Sequence, residues 1–192
     1  MKKYLVLLLF GYVCWGQSPI YPLIDAGEAK VGAYYKDLDN ELDPFVGTWI
    51  YTNGNTSLTI TLHKKVMAHI DIAGFNYYED TLIGEYKYVE NGVIKINTLP
   101  QMQLNIPSYN HNITDVIILR NNPLVINISF DEPGVDVVGL AAVMIMRRED
   151  SGSVQKLKVN FRMSEAPVSV NGVSPQTTYT LPYGEYILTK QP

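Results

Sequence analysis

Few residues of this 192-residue chain have the types and spacing that catalysis or metal binding requires. The three histidines, His63, His69 and His111, are not at the short spacings of a metal site, and we expect them at the surface or in loops. The sole cysteine is Cys14, and no Gly-x-Ser-x-Gly segment offers a nucleophilic serine. The sequence therefore predicts a protein that is not an enzyme and that holds no metal and no cofactor.

One run of acidic residues could suggest a calcium site, because calcium prefers several oxygen ligands close together. Its members alternate with other residue types: Asp37, Asp39, Glu41 and Asp43. An EF-hand loop that began at Asp37 would need glycine at its sixth position and glutamate at its twelfth, where this chain has Leu42 and Thr48. We interpret the run as a solvated acidic linker.

The elements that must position any site are strands. Apolar residues occupy every second position in residues 58–62, 124–130 and 157–163, which is typical of strands with one buried face. Turn residues separate the strands, and Asn91-Gly92 is a strong hairpin signal. About eight to ten strands follow one another, hairpin after hairpin, so the sequence predicts an all-β fold, a single antiparallel up-and-down barrel, with a β-sandwich as the alternative.

One predicted strand is apolar on both faces, the run Val137–Met146. Such a strand needs a cover on its outer side. We expect the cover to be the preceding leader, which carries Tyr34, Tyr35 and Leu38; a homodimer contact is the competing expectation.

The first sixteen residues have the layout of a secretory signal peptide. Lys2 and Lys3 precede a short apolar run, and small residues then prepare a cleavage site between Gly16 and Gln17. Lipid anchoring at Cys14 is disfavoured because the residues before it are bulky. The sequence thus predicts an exported protein, periplasmic or secreted, and not an integral membrane protein.

The charge limits the choice of partners. The chain carries a net charge of −4, which falls to −6 when the two lysines of the signal are removed. An acidic protein is poorly suited to nucleic acid or to an anionic membrane, since both are negative.

Gly47 and Trp49 stand at the start of the first long strand and resemble the Gly-x-Trp opening of lipocalin and fatty-acid-binding barrels. In those families the tryptophan closes one end of the barrel, often beneath a cationic side chain from a late strand. The resemblance implies a lipocalin-like barrel with Gly47 and Trp49 as the barrel-closing motif. The candidates for the cation are Lys190, Arg147 and Arg162.

A wider resemblance extends from Tyr34 to Tyr186. The phrases Asp-Pro-Phe-Val-Gly-Thr-Trp, Ile-Gly-Glu-Tyr and Glu-Asn-Gly are similar to those of an uncharacterised family of small exported bacterial proteins, a domain of unknown function. The resemblance implies export and supports the fold. The residues themselves divide the chain into a signal peptide over residues 1–16, an extended leader over residues 17–44 and a barrel domain over residues 45–192.

Alternation places several aromatic side chains on the inner face of the predicted barrel. The candidate lining of a ligand cavity is Tyr51, Leu82, Tyr86, Tyr88, Phe130 and Phe161. A barrel of this size is either filled by side chains or holds one small ligand. The leading prediction is an exported, non-catalytic binding protein for a small apolar ligand. The alternative is an interaction or structural protein of the cell envelope with a solid barrel.

Overall fold

The computed structural model describes residues 18–23, 29–72, 74–119, 124–167, 169 and 177–192. Strands dominate these residues, and three short 3-10 turns are the helical elements among them. The strands are β1 (Ile20–Pro22), β2 (Tyr34–Lys36), β3 (Gly47–Asn53), β4 (Thr56–Ile72), β5 (Phe75–Glu90), β6 (Val93–Asn97), β7 (Ile113–Leu119), β8 (Val125–Phe130), β9 (Ala141–Arg148), β10 (Lys156–Glu165) and β11 (Gly184–Lys190).

Eight of the strands close into an antiparallel barrel. The order around it is β3, β4, β5, β7, β8, β9, β10 and β11, and β11 pairs again with β3. Closure between β5 and β7 rests on one residue pair, Gly84 and Ile113. The predicted up-and-down barrel is confirmed, and the sandwich alternative is wrong.

Local sequence explains the regularity. Buried positions alternate as Ile126, Ile128 and Phe130 in β8, where Val125 is buried as well, and as Ala142, Met144 and Met146 in β9. The β5–β6 hairpin turns through Asn91 and Gly92, both with positive φ. That conformation is the type I′ turn that the Asn-Gly pair favours.

Strands β4 and β5 are longer than the other barrel strands, and their hairpin extends past the barrel. Pairing with β3 ends where Leu62 meets Gly47, whereas β4 and β5 pair with each other as far as Ile72 and Phe75. Strand β6 pairs with the edge of β5. The loop over residues 98–112 contacts β5 through Thr98, His111 and Asn112, and it contributes to the burial of consecutive residues of β5.

The leader packs against this extension. β2 runs parallel to β5, with Tyr34 beside Tyr78, and β1 runs parallel to β2. Ala33 and Leu42 are fully buried, so the leader supplies part of the core. The expectation that Tyr34, Tyr35 and Leu38 cover Val137–Met146 is therefore wrong: β2 occupies the edge of β5 that β7 leaves open, and Leu38 is exposed.

The apolar run itself is divided. Residues 137–140 form a turn region, and β9 begins at Ala141. The outward side chains of Val143 and Ile145 are half-buried between the neighbouring strands β8 and β10. The run thus combines a loop with one regularly alternating strand.

Candidate functional site

The two ends of the barrel carry different side chains, and we call them the Trp49 end and the Glu132 end. The Trp49 end contains the start of β3 and the ends of β9 and β11. The Glu132 end contains the end of β8 and the start of β11. The barrel interior lies between these two ends.

At the Trp49 end, the indole is fully buried and donates a hydrogen bond from Nε1 to the carbonyl of Phe45 at 2.8 Å. Two cations lie over its ring: the guanidinium of Arg148 at 5.0 Å and the ammonium of Lys190 at 5.4 Å from the centroid. Arg148 also donates to the carbonyl of Pro44, which fixes the turn before β3. This arrangement closes the end with one aromatic ring and two cation–π contacts.

Gly47 is required where it stands. Its φ is +131°, and a Cβ built there would lie 2.6 Å from Cε of Lys190. The lysine stem therefore passes over the glycine to reach the indole. Of the three expected cations Lys190 is in this position, whereas Arg147 and Arg162 are exposed, and sequence reasoning missed Arg148.

The six residues expected to line a cavity do converge. Tyr86, Phe130 and Phe161 form a chain of rings with centroids 4.9 and 4.6 Å apart. Leu82 is fully buried, Tyr88 is nearly so, and half-buried Tyr51 meets Tyr186 edge to face at 5.2 Å. Five of the six belong to one core cluster, and Tyr51 packs against it.

The interior is filled by inward side chains. A side chain with zero exposure borders neither solvent nor a void that admits water. The following inward residues have zero exposure: Trp49, Leu58, Ile60, Leu62, Leu82, Tyr86, Ile126, Ile128, Met144, Met146, Leu157, Val159 and Leu188. They come from β3, β4, β5, β8, β9, β10 and β11, so the packing extends around the barrel.

The Glu132 end is closed by the chain that precedes β11. Glu132 is buried and accepts the hydroxyl of Tyr86 at 3.0 Å and the backbone N–H of Thr180 at 2.9 Å. Tyr179 packs edge to face on Phe130. Burial and the neighbouring Glu132 carboxylate raise the pKa of Tyr86 far above its ordinary value, so the phenol remains a donor.

A second polar cluster lies outside the barrel wall, between β5 and the loop that covers it. Glu85 is fully buried; its carboxylate is 2.9 Å from Nδ1 of His111 and accepts the amide of Asn112 at 2.6 Å. His111 lies in a loop, one of the two expected locations, but it is buried, whereas His63 and His69 are exposed on β4. Glu85 and His111 are 26 positions apart, and no spacing rule links them.

The leader is held by two buried carboxylates. Asp80 accepts the hydroxyl of Tyr34 at 2.6 Å and the N–H of Asp37 at 3.0 Å. Asp37 accepts the N–H groups of Glu41 and Leu42 and pairs with Lys64 at 2.8 Å. Asp37 is therefore a buried structural residue, and the interpretation of the acidic run as a solvated linker is wrong at this position.

A half-exposed surface of aromatic side chains, here called the tyrosine face, crosses β1, β2 and β5. Tyr21 stacks on Tyr35 at 5.7 Å, and Tyr35 meets Tyr77 edge to face at 5.8 Å. Phe75, two positions before Tyr77 on β5, is 50% exposed. Burial raises the pKa of Tyr77 to about 12, so its hydroxyl stays protonated at neutral pH.

Among the residues that the structure describes, no three His, Cys, Asp or Glu side chains gather where they could hold a metal ion. No helix in that part of the chain is long and apolar enough to cross a membrane. Residues 1–16, for which the sequence predicts a signal peptide, lie outside the described residues, and so does Cys14.

Fold and geometry define an antiparallel up-and-down barrel whose ends are closed by its own chain. The chain belongs to a family of unknown function, DUF6705, whose profile matches residues 1–191. No curated protein and no solved structure matches the chain significantly.

Proposed function

We propose that this protein is an exported, non-catalytic binding protein that uses its barrel as a solid scaffold and meets another protein through its outer surface. The observation that carries the proposal is the packed interior: thirteen inward side chains in the described part of the chain have zero exposure. The N-terminal layout of lysines, apolar run and small residues supports export.

The tyrosine face is the surface best suited to such a contact. Tyrosine is enriched at protein interfaces because its ring is large and rigid and its hydroxyl can hydrogen-bond. Tyr21, Tyr35 and Tyr77 are already ordered against one another, so binding would cost little side-chain entropy. Exposed Phe75 extends the apolar area of this face.

A small apolar ligand inside the barrel is the second candidate. Its support is the convergence of the six aromatic and apolar residues on one interior, together with a closing segment at the Glu132 end. Entry would require residues 177–183 to move and the rings of Phe130 and Phe161 to separate. A homodimer contact at the outer side chains of Val143 and Ile145 is a further possible partner surface.

Purification from the native host followed by native mass spectrometry tests the proposal. We expect the mature chain to co-purify with a protein partner, and the double substitution Tyr35→Ser, Tyr77→Ser to abolish that complex. The matched control is Ile187→Ser, which removes an exposed apolar side chain on β11 and should leave the complex intact.

Other outcomes discriminate among the candidates. A stoichiometric apolar small molecule that is released only on unfolding would support the interior-ligand function instead. A homodimer that survives the double substitution would contradict a role for the tyrosine face. The absence of any complex would contradict the proposal.

A further inference from the structure

We propose that a groove on the outside of β4 binds a small organic anion with an apolar body. The groove has a volume of about 360 Å3 and runs between residues 65–69 of β4 and residues 105–109 of the covering loop. This volume is within the range of small-molecule sites. The site is separate from the tyrosine face and does not depend on the protein-binding role proposed above.

The backbone that forms one wall is strained. The pairing of β4 with β5 shifts register between Lys65 and Ala68, a β-bulge, and Met67 within it has a φ of +54°. A bulky residue rarely adopts this left-handed conformation. The N–H of Met67 donates to the buried carboxylate of Asp80 at 2.9 Å, which holds the bulge in place. Strain fixed by a buried group is typical of functional sites.

The charge of the groove is opposite to that of the whole protein. The chain is acidic, yet none of the nine lining residues is Asp or Glu. Lys65 donates to the carbonyl of Ile106 at 2.7 Å and, within the described residues, forms no ion pair. An ammonium group has three donors, so Lys65 keeps two for a ligand. This pattern favours a carboxylate, sulfonate or phosphate group.

A second polar group lies beneath the surface of the groove. The hydroxyl of Ser108, a lining residue, is buried and has no hydrogen-bond partner in the described part of the chain. Buried hydroxyl groups without partners are rare, because each one costs free energy. The hydroxyl does not reach the surface of the groove, so a ligand accepts a hydrogen bond from it only after the loop over residues 105–109 shifts.

The remaining walls suit an apolar body. Met67 and Tyr109 are about half exposed, and Pro107 lines the groove with them. The imidazole of His69 packs on the ring of Tyr78 at 5.1 Å, which orients it at the same wall. An aromatic or short hydrocarbon group would bury apolar area between these side chains.

The test is an NMR titration of the 15N-labelled protein with 4-phenylbutyrate, and in parallel with 4-phenylbutan-1-ol, which has the same body without the charge. We expect chemical-shift changes centred on residues 65–69 and 105–109. Lys65→Met should weaken phenylbutyrate binding about tenfold and change alcohol binding less than about twofold, because only the anion uses the ammonium. The control Lys158→Met, on β10, removes an equal charge three strands away and should change the affinity for neither the acid nor the alcohol.

Ser108→Ala is the second variant and removes a hydroxyl that has no described partner, so the fold should be retained. It should weaken phenylbutyrate binding about threefold or more. The proposal is overturned if the shifts lie elsewhere, if acid and alcohol bind the wild-type protein equally, or if both variants bind the acid as tightly as the wild-type protein.

Discussion

At the residue scale, the Trp49 end shows how one glycine permits a cation–π closure. Gly47 has a backbone conformation that side chains rarely adopt, and its missing Cβ is the space that the Lys190 stem occupies. Any other residue at position 47 would block the path by which the Lys190 side chain reaches the Trp49 ring.

We predict that Gly47→Ala lowers the free energy of unfolding by about 2–4 kcal/mol, through strain at positive φ and the clash with Lys190. Urea unfolding measures it. Shortening the lysine relieves the clash, so Gly47→Ala should cost less in a Lys190→Ala background. Additive effects of the two substitutions would contradict the steric explanation.

Spacing along the chain identifies some of these residues and cannot identify others. Gly47 and Trp49 are two positions apart on one strand, and a local pattern reveals them. Glu85 and His111 meet across the outside of β5, and only the path of the covering loop brings them together. Arg148 was missed because its neighbour Arg147 has the same chemistry and alternation alone does not say which of the two reaches Trp49.

At the element scale, the leader strand β2 completes the sheet where β7 diverges from β5. Alternation predicted β4, β8 and β10 because their buried positions recur at every second residue over much of each strand. The position of the leader was not predictable, since β2 has three residues and its docking depends on Asp80, 43 positions from Asp37. The edge of β5 that β2 covers can be identified only after the order of strands around the barrel is known.

Glu79, on β5 beside β2, makes stability depend on pH. Burial, with the nearby carboxylates of Asp115 and Asp80, raises the pKa of Glu79 from 4.5 to about 7. Between these values the folded protein keeps a proton that the unfolded chain releases, so the free energy of unfolding falls as pH rises. The shift corresponds to about 1–3 kcal/mol after allowance for partial exposure.

We predict that Glu79→Gln removes the fall in the free energy of unfolding that Glu79 causes as pH rises. Urea unfolding at pH 5 and at pH 8 should show the variant gaining stability over the wild-type protein at pH 8 and gaining much less at pH 5. Glu185→Gln, an exposed control on β11, should show no such difference. An equal gain for Glu79→Gln at both pH values would rule out titration of Glu79 as the cause.

At the scale of the whole molecule, the barrel is a packed core. The aromatic residues that alternation assigns to the inner face are buried or half-buried, but whether a barrel is hollow depends on how side chains from seven strands fit together. That fit is set by three-dimensional packing and leaves no periodic signal. The closing segment at the Glu132 end was likewise unpredictable, because it has no regular secondary structure.

We predict that Phe161→Ala costs about 3–5 kcal/mol, because it removes a ring from a filled interior and leaves a cavity. Phe75→Ala, at an exposed position on the tyrosine face, should cost less than about 1 kcal/mol. Chemical denaturation of both variants measures the contrast. A loss under about 1 kcal/mol for Phe161→Ala would indicate an interior that was already loosely packed.

The central claim is that the barrel interior is solid, and crystals pressurised with xenon test it most directly, since xenon enters apolar cavities in proteins. The wild-type barrel should contain no xenon between Tyr86, Phe130 and Phe161, while the Phe161→Ala variant should gain a xenon site there as a positive control. Xenon bound among these three rings in the wild-type protein would contradict the account.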